Sequence, residues 1–341
     1  MMQNCDNNDT RDNSFTFAQF VNFLKGKKVY VQTHNYPDPD AIGSGFGLQK
    51  LLEHFGIDTT LCYYGKIDRV NTRKMIEMLG IDIVSKDDIE DQMKPHDCII
   101  CIDSQKLGGN IIDLKGDEVA CIDHHPTVEM VYYFYKDVRM VGSCSTIISG
   151  YYEQLNLRPS VNAATALLYG LQMDTSGFTR GVTDADIHAF GFLHPFIDQK
   201  ILSSLEQNLM EFKDLQAYGA AISNIQIFDN IGFAFIPFPC QDALIAITCD
   251  FILSLEEVYV AIVYSKRDAG YKFSVRSEEN ASDMDCGVMI SEALTDIGTG
   301  GGHSFMAGGF VPIENINMLG NNPDEALIQR FMHVKDRMSS H

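Results

Sequence analysis

Two short apolar runs, Asp97-Cys-Ile-Ile-Cys-Ile-Asp103 and Val119-Ala-Cys-Ile-Asp123, each end in an aspartate. Runs this short, apolar throughout, read as strands buried on both faces, the kind found in parallel sheets covered by helices. A carboxylate closing such a strand is costly unless a partner or a cation meets it. The neighbouring pattern agrees. Segments 27–33 and 57–64 read as further strands, and between them lies a loop and a helix that runs through Gly43 and stops at Gly56. A helical stretch over 74–79, a short strand over 81–84 and an acidic helix near 86–93 follow. Strands alternating with helices predict an α/β fold: a doubly wound, mainly parallel sheet whose ligands sit beyond the carboxyl ends of its strands.

After about residue 143 the spacing turns helical, with helices expected over 143–154, 160–172, 183–194 and, as one long element, 199–222. Strand-like runs return at 231–238, 258–265 and 271–277, then a helix near 284–295 and a glycine-rich turn. The last helix is capped by Asn322, with Pro323 in its first turn and Asp324 and Glu325 favouring its dipole. The expected organisation is an N-terminal extension over 1–26, a catalytic domain over 27–200, a helical linker over 201–225 and a smaller mixed α/β domain over 226–341. The Asn/Asp-rich first 14 residues read as frayed.

Composition narrows the partners. The 341 residues carry 26 Lys and Arg against 46 Asp and Glu, a net charge of −20. Such a field repels phosphate backbones and excludes a protein that coats long nucleic acid, while a bound divalent ion can still draw a small anion into a local site. The nine cysteines are odd in number and scattered. Cys98 and Cys101, three apart on a strand, fall on opposite faces and do not make a thiol metal site. The first residues are polar, and no apolar run reaches the roughly 18 residues a bilayer demands. A reduced, cytoplasmic protein without a membrane is expected.

The chemistry-bearing residues fall where such a sheet places its ligands. His34, Asp38 and Asp40 follow a strand and precede a helix, in a loop stiffened by Pro37 and Pro39. This donor set suits a hard or borderline divalent ion, and the helix start at Asp40 offers amides to an anion. Asp103 closes one buried strand and Asp123-His124-His125 closes another. Adjacent histidines point differently, so one can bind metal while the other faces substrate, and Asp123 can orient an imidazole. Asp174 ends a helix, where a carboxylate opposes the dipole unless a cation is near. Further on, Arg276 at a strand end can clamp a phosphate, and Gly300-Gly301-Gly302-His303 offers backbone amides and a donor to a phosphoryl oxygen. Each cluster alone also has a bland reading, as a turn, a helix cap, a surface ion pair or a flexible glycine loop.

In their order and spacing these motifs resemble the DHH phosphoesterase family, named for the triplet Asp123-His124-His125. The resemblance runs from about residue 27 to 312 and takes in the DHH-associated C-terminal domain through Arg276 and Gly300–His303. It is nearest to the stand-alone branch of oligoribonucleases (nano-RNA hydrolases) and phosphoadenosine phosphate phosphatases. It implies a hydrolase with two manganese ions per chain, magnesium being the alternative. His34, Asp38 and Asp103 would hold one ion, and Asp40, Asp103, His124 and Asp174 the other, with Asp103 bridging. His125 would face the phosphoryl group and Asp123 would support it, while Arg276, His303 and Gly300–Gly302 would grip a substrate phosphate or nucleotide across a cleft. A homodimer is also in keeping with the family. Two positions depart from the branch: Pro39 stands where glycine is frequent, and the segment after Asp103 lacks a second acid and an arginine.

The reaction so implied is two-metal hydrolysis of a phosphoester, in which hydroxide from an acidified water attacks in line with the leaving oxygen. The acidic surface favours short oligonucleotides or nucleotide phosphates over long strands. Two alternatives remain open at this point, an inorganic pyrophosphatase or exopolyphosphatase and a non-catalytic nucleotide-binding module.

Overall fold

Val29, Tyr30 and Val31 are buried, and the strand they form has a parallel neighbour on each edge. In the computed structural model, which describes residues 16–67, 69–128, 131–207, 212–278 and 284–338, the chain divides into two compact units, Met1–Leu209 and Met210–His341. The Asn/Asp-rich start lies outside the described residues.

The first unit runs α1 (Phe17–Leu24), β1 (Val29–Gln32), α2 (Pro39–Glu53), β2 (Thr59–Tyr63), α3 (Val70–Leu79), β3 (Ile83–Ser85) and α4 (Lys86–Ile89). After a 3₁₀ turn come β4 (Cys98–Ile102), β5 (Asp117–Asp123), β6 (Tyr135–Val138), α5 (Cys144–Gln154), α6 (Val161–Asp174), α7 (Asp184–Leu193) and α8 (Gln199–Glu206). Its six strands pair in the order β3-β2-β1-β4-β5-β6, all parallel. The chain winds outward from β1 to β3, returns beside β1 as β4, and winds outward again. The strand order therefore reverses between β1 and β4, the place where such sheets open a crevice for ligands.

The main core lies on one face of this sheet. There Val31, Ile100, Ile102 and Ile122 pack with Phe20, Ile42, Leu48, Met75, Ile147, Leu167 and Leu205 from the surrounding helices. The other face is thinner, with Tyr30, Cys62, Ile99 and Cys101 under Ile89, Met93 and Leu114. Cys98 packs into the first cluster and Cys101 into the second, as their spacing requires. Helix α2 approaches α6 closely because it carries glycine: a Cβ at Gly43 would stand 2.6 Å from the Ala166 carbonyl oxygen, and one at Gly170 of α6 would stand 3.0 Å from Asp40 Cα. Glycine inside a helix costs about 1 kcal/mol, and here it brings the start of α2 beside the end of α6.

The second unit runs α9 (Phe212–Asn224), β7 (Gln226–Phe228), β8 (Ile231–Ile236), α10 (Asp242–Leu253), β9 (Val260–Arg267) and β10 (Gly270–Ser277). It continues with α11 (Cys286–Ala293), β11 (Thr299–Gly302), β12 (Met306–Pro312), α12 (Ile313–Met318) and α13 (Pro323–Met338). Its sheet is mixed, in the order β11-β12-β10-β9-β8-β7, with β8 and β9 parallel and the other pairs antiparallel. One face packs on Met289, Ile290, Leu327 and Phe331 of α11 and α13, the other on Ala217, Ala221, Ile245 and Cys249 of α9 and α10.

Two expectations are corrected. The long helix over 199–222 is not one element: α8 ends at Glu206 and Gln207 is extended, with φ −105° and ψ 154°. Lys74 of α3 donates Nζ to the carbonyl oxygen of Gln207 at 2.7 Å, just past the end of α8. The glycine-rich turn is a hairpin, in which β11 pairs with β12 from Thr299–Phe310 to Gly302–Ala307. Glycine has low strand propensity, so composition pointed to a loop, whereas antiparallel pairing decides the structure.

Candidate metal centre

The carboxyl ends of β1, β4 and β5 bring the predicted donors together. Asp38 caps α2, accepting at Oδ1 from the amides of Asp40 (3.0 Å) and Ala41 (3.1 Å). That bond orients the His34–Asp40 loop and uses the helix-start amides that the sequence reading offered to an anion. Asn35 pins the same loop, its amide donating to the Asn110 carbonyl at 2.7 Å and its Oδ1 accepting from the Ile112 amide at 3.1 Å. Asp40 turns the other way. Its carboxylate accepts from the amides of Cys144 (2.7 Å) and Ser145 (3.0 Å), the first turn of α5.

Three donor groups result, each with ligand atoms within 4.8 Å of one another: His34, Asp38 and Asp103; Asp40, His124 and Asp174; Asp103, His124 and His125. Asp103 joins them. One of its oxygens lies 3.6 Å from His34 Nε2 and the other 3.3 Å from His124 Nε2, which is itself 3.2 Å from Asp174. Both imidazoles are set for ligation through Nε2, because Nδ1 of His34 contacts the Asn35 carbonyl at 2.9 Å and Nδ1 of His124 the Val141 carbonyl at 3.0 Å. Among the described residues, His124 Nε2 and Asp103 Oδ1 are buried and have no hydrogen-bond partner. Orphaned atoms of this kind at the meeting of carboxylates and imidazoles are what a divalent cation satisfies, so the residues present fit such a group.

The electrostatics describe the same demand. Burial pushes the Asp40 carboxyl well above its usual range, and Asp103 and Asp174 nearby push it further. Burial likewise raises Asp103, against the opposing pull of His124. For His34 burial acts downward, but Asp38 and Asp103 outweigh it and push the imidazole up to about 10. For His124, Asp103 and Asp174 overcome burial and push it up to about 12. Asp38 is partly buried and desolvation acts upward on it, yet His34 holds it below the carboxylate range. Protons on the imidazoles offset part of the carboxylate charge, and a cation would compete for the same Nε2 atoms.

His125 is half-exposed, and its Nδ1 contacts Asp123 Oδ1 at 2.8 Å, which raises its pKa. Asp123 is buried but held below the usual range, since His125 and Gln105 outweigh desolvation. Sequence reasoning missed Gln105. Its amide donates to Asp123 Oδ2 at 2.8 Å and to the Pro126 carbonyl at 3.1 Å, and its oxygen accepts from the Val128 amide at 2.8 Å. A glutamine two residues past an aspartate carries no pattern of its own. Backbone strain was equally invisible: Tyr36, Asp103, Leu107, Ser176 and Phe178 all adopt positive φ, between 50° and 67°. Non-glycine residues rarely do so, and they concentrate at functional loops.

In the second unit, Arg276 and the turn after β11 share one end of the sheet, Arg276 pairing with Met306 and Gly302 with Ala307. Arg276 is already engaged, with Nε 3.2 Å from Asp250 and Nη1 donating to Ser274 Oγ and the Val275 carbonyl. His303 is exposed, its amide donating to the Met306 carbonyl. Gly302 has φ 154° and leaves no room for a Cβ against Met306. Gly300 and Gly301 lie in the strand without positive φ, but a Cβ at Gly300 would stand 2.9 Å from the Ile290 carbonyl oxygen. The expected loop of amides is thus a strand in which Gly300 and Gly302 need glycine.

Comparison with known proteins agrees with this geometry. Residues 28–171 match the model of the DHH family, N-terminal domain. An uncharacterized protein of Methanocaldococcus jannaschii is 30% identical over 291 residues, 85% of this chain and 59% of that protein. The cyclic-di-AMP phosphodiesterase GdpP of Geobacillus thermodenitrificans is 23% identical over 278 residues, 71% of this chain and 39% of that protein. The chain therefore spans less than two thirds of either relative's length. Among solved structures, an exopolyphosphatase-related protein from Bacteroides fragilis superposes with a TM-score of 0.72 at 18% identity, covering 94% of this chain and 97% of that one. Residues 28–171 thus resemble the N-terminal domain of the DHH family, and a second compact unit follows them.

Proposed function

We propose that the chain is a metal-dependent phosphohydrolase acting on short oligonucleotides (nano-RNA) or small nucleotide phosphates. The observation that carries the reading is Asp103, whose two oxygens face two separate imidazoles, each with its own flanking carboxylates. In this reading His34 and Asp38 hold one divalent ion, manganese or magnesium, while Asp40, His124 and Asp174 hold the other, and Asp103 serves both. Bound there, two such cations supply Lewis acidity at a phosphoryl group and lower the pKa of a water.

The chain's own residues do the rest. His125 presents Nε2 outward while Asp123 holds Nδ1, so it can give a proton to a leaving oxygen or a hydrogen bond to a phosphoryl oxygen. Gln105 keeps Asp123 fixed as the acceptor. Arg276, His303 and Gly300–Gly302 carry the substrate-binding role, Arg276 exchanging its exposed partner Asp250 for a phosphate.

A nucleotide substrate is favoured over pyrophosphate or polyphosphate by the likeness to the cyclic-di-AMP phosphodiesterase, because that match extends over 278 residues and so runs beyond the family domain of residues 28–171. The net charge of −20 favours short substrates, because each phosphate beyond the site meets a repelling field. No helix among the described residues is long and apolar enough to cross a membrane. The test is a panel with manganese: a dinucleotide, a bisphosphorylated nucleoside, linear and cyclic diadenylate, pyrophosphate and polyphosphate. Turnover of a nucleotide ester is expected, with dimers cleaved faster than long strands at low salt. Turnover of pyrophosphate or polyphosphate alone overturns the nucleotide assignment, and binding without turnover of any member overturns the enzyme.

A further inference from the structure

The loop between the first two metal donors holds a side chain that the centre does not use. Tyr36 lies between His34 and Asp38, adopts φ 56° and is 61% exposed. A bulky residue adopts this conformation only where its surroundings hold it there. Two observations show how. Its amide donates to the Tyr64 carbonyl at 2.8 Å, and its ring lies against Gly65, where a Cβ would stand 2.7 Å from ring carbons. Gly65 itself has φ 92°. The β2–α3 loop thus reserves space for one edge of the ring and leaves the remainder to solvent.

The same loop carries charge of the opposite sign to the chain as a whole. Lys66 and Arg69 are exposed, and neither side chain makes a hydrogen bond or ion pair among the described residues. Arg69 is near enough to Asp38 to act on its carboxyl. In a chain of net charge −20, the loop places Lys66 and Arg69 on either side of Asp68 in sequence, just after the Gly65 that the Tyr36 ring packs against. An aromatic face with cationic neighbours is how proteins hold a nucleobase and the phosphate next to it without reading sequence.

We propose that Tyr36, with Arg69 and Lys66, forms a nucleoside subsite at the metal centre, Tyr36 stacking on the base and the two cations meeting an additional phosphate. This deepens the function proposed above and rests on it. It separates substrate classes, since pyrophosphate and polyphosphate have no base to stack.

Two measurements test it. In chelator, a dinucleotide carrying 2-aminopurine is titrated with protein; stacking on Tyr36 quenches the bound fluorophore in the wild type and in Tyr36→Trp, and the quench is lost in Tyr36→Leu, which keeps bulk without an aromatic face. With manganese, the ratio of kcat/KM for a dinucleotide to that for its abasic analogue falls at least tenfold in Tyr36→Leu and is retained in Tyr36→Trp. Arg69→Gln lowers discrimination in favour of a 5′-phosphorylated dinucleotide. An unchanged quench and ratio in Tyr36→Leu, with the wild type active on dinucleotides, overturns the subsite and leaves the proposed function standing. A wild type that quenches the fluorophore yet turns over no nucleotide sinks the function and leaves the subsite.

Discussion

Gln105 donates its side-chain amide to Asp123 across 2.8 Å, and both side chains are buried. Removing that donor leaves a buried carboxylate oxygen short of a hydrogen bond, at a cost of about 1–3 kcal/mol. Supporting residues of metal sites are typically worth about 10–100-fold in activity or metal affinity. Gln105→Ala is therefore expected to lower kcat by about that factor and to lower Tm. Gln105→Glu, which sets a second carboxylate against Asp123, is expected to lose more. Kinetics and thermal melts of the two variants check this, and an equal or smaller loss in Gln105→Glu contradicts it.

Asp103 is buried, and its carboxyl is raised above the ordinary value. It lies against both imidazoles, so it is the donor that each half of the centre shares. Asp103→Asn keeps the shape and removes the charge, so it is expected to abolish hydrolysis and to lower manganese uptake below two ions per chain. Undiminished turnover, or uptake of two ions, contradicts the assignment.

The imidazoles predict a pH dependence. The carboxylates push His34 up to about 10 and His124 up to about 12, both above the ordinary 6.5. That pairing stabilises the chelated fold fully below pH 6.5 and fades as pH rises through the folded values. A cation needs the same nitrogens deprotonated, so its binding releases protons and tightens as pH rises, by about tenfold per pH unit for each proton displaced. Calorimetry in buffers of different ionisation heat, from pH 6 to 9, reads the proton count. Affinity independent of pH refutes it.

Much of this centre was legible in the sequence. Carboxylates closing apolar strands, a paired histidine and a proline-stiffened loop are local signals, and the parallel sheet followed from strands that do not alternate. Asp40 shows what was not legible. Its spacing suggested a free helix start, but the amides it engages belong to Cys144 and Ser145, more than a hundred residues away. Strands β6 and β7 and helix α10 also escaped notice, because their short or evenly apolar segments lack a distinct period, whereas α1 was missed despite the capping pair Thr16 and Gln19 and an apolar face of Phe20, Val21 and Leu24. The β11–β12 hairpin was hidden for the opposite reason, since glycine has no side chain to carry a pattern.

Gly43 offers a test of how packing sets the centre. A methyl group there meets the Ala166 carbonyl at 2.6 Å and the backbone has to give. Overpacking of this kind costs about 1–3 kcal/mol, and pushing α2 from α6 also separates Asp40 from Asp174. Gly43→Ala is expected to lower Tm and to weaken manganese binding, whereas Gly150→Ala on α5, where a Cβ meets nothing within 4 Å, does neither. Equal behaviour of the two variants in melts and metal titrations goes against it.

Asp40 spends its carboxylate twice, once on the amides that begin α5 and once toward the donor cluster with His124 and Asp174. An ion that draws electron density from those oxygens weakens what they lend to Cys144 and Ser145, and its departure strengthens it. Deuterium uptake at the first turn of that helix thus becomes a gauge of occupancy, readable without any substrate at all.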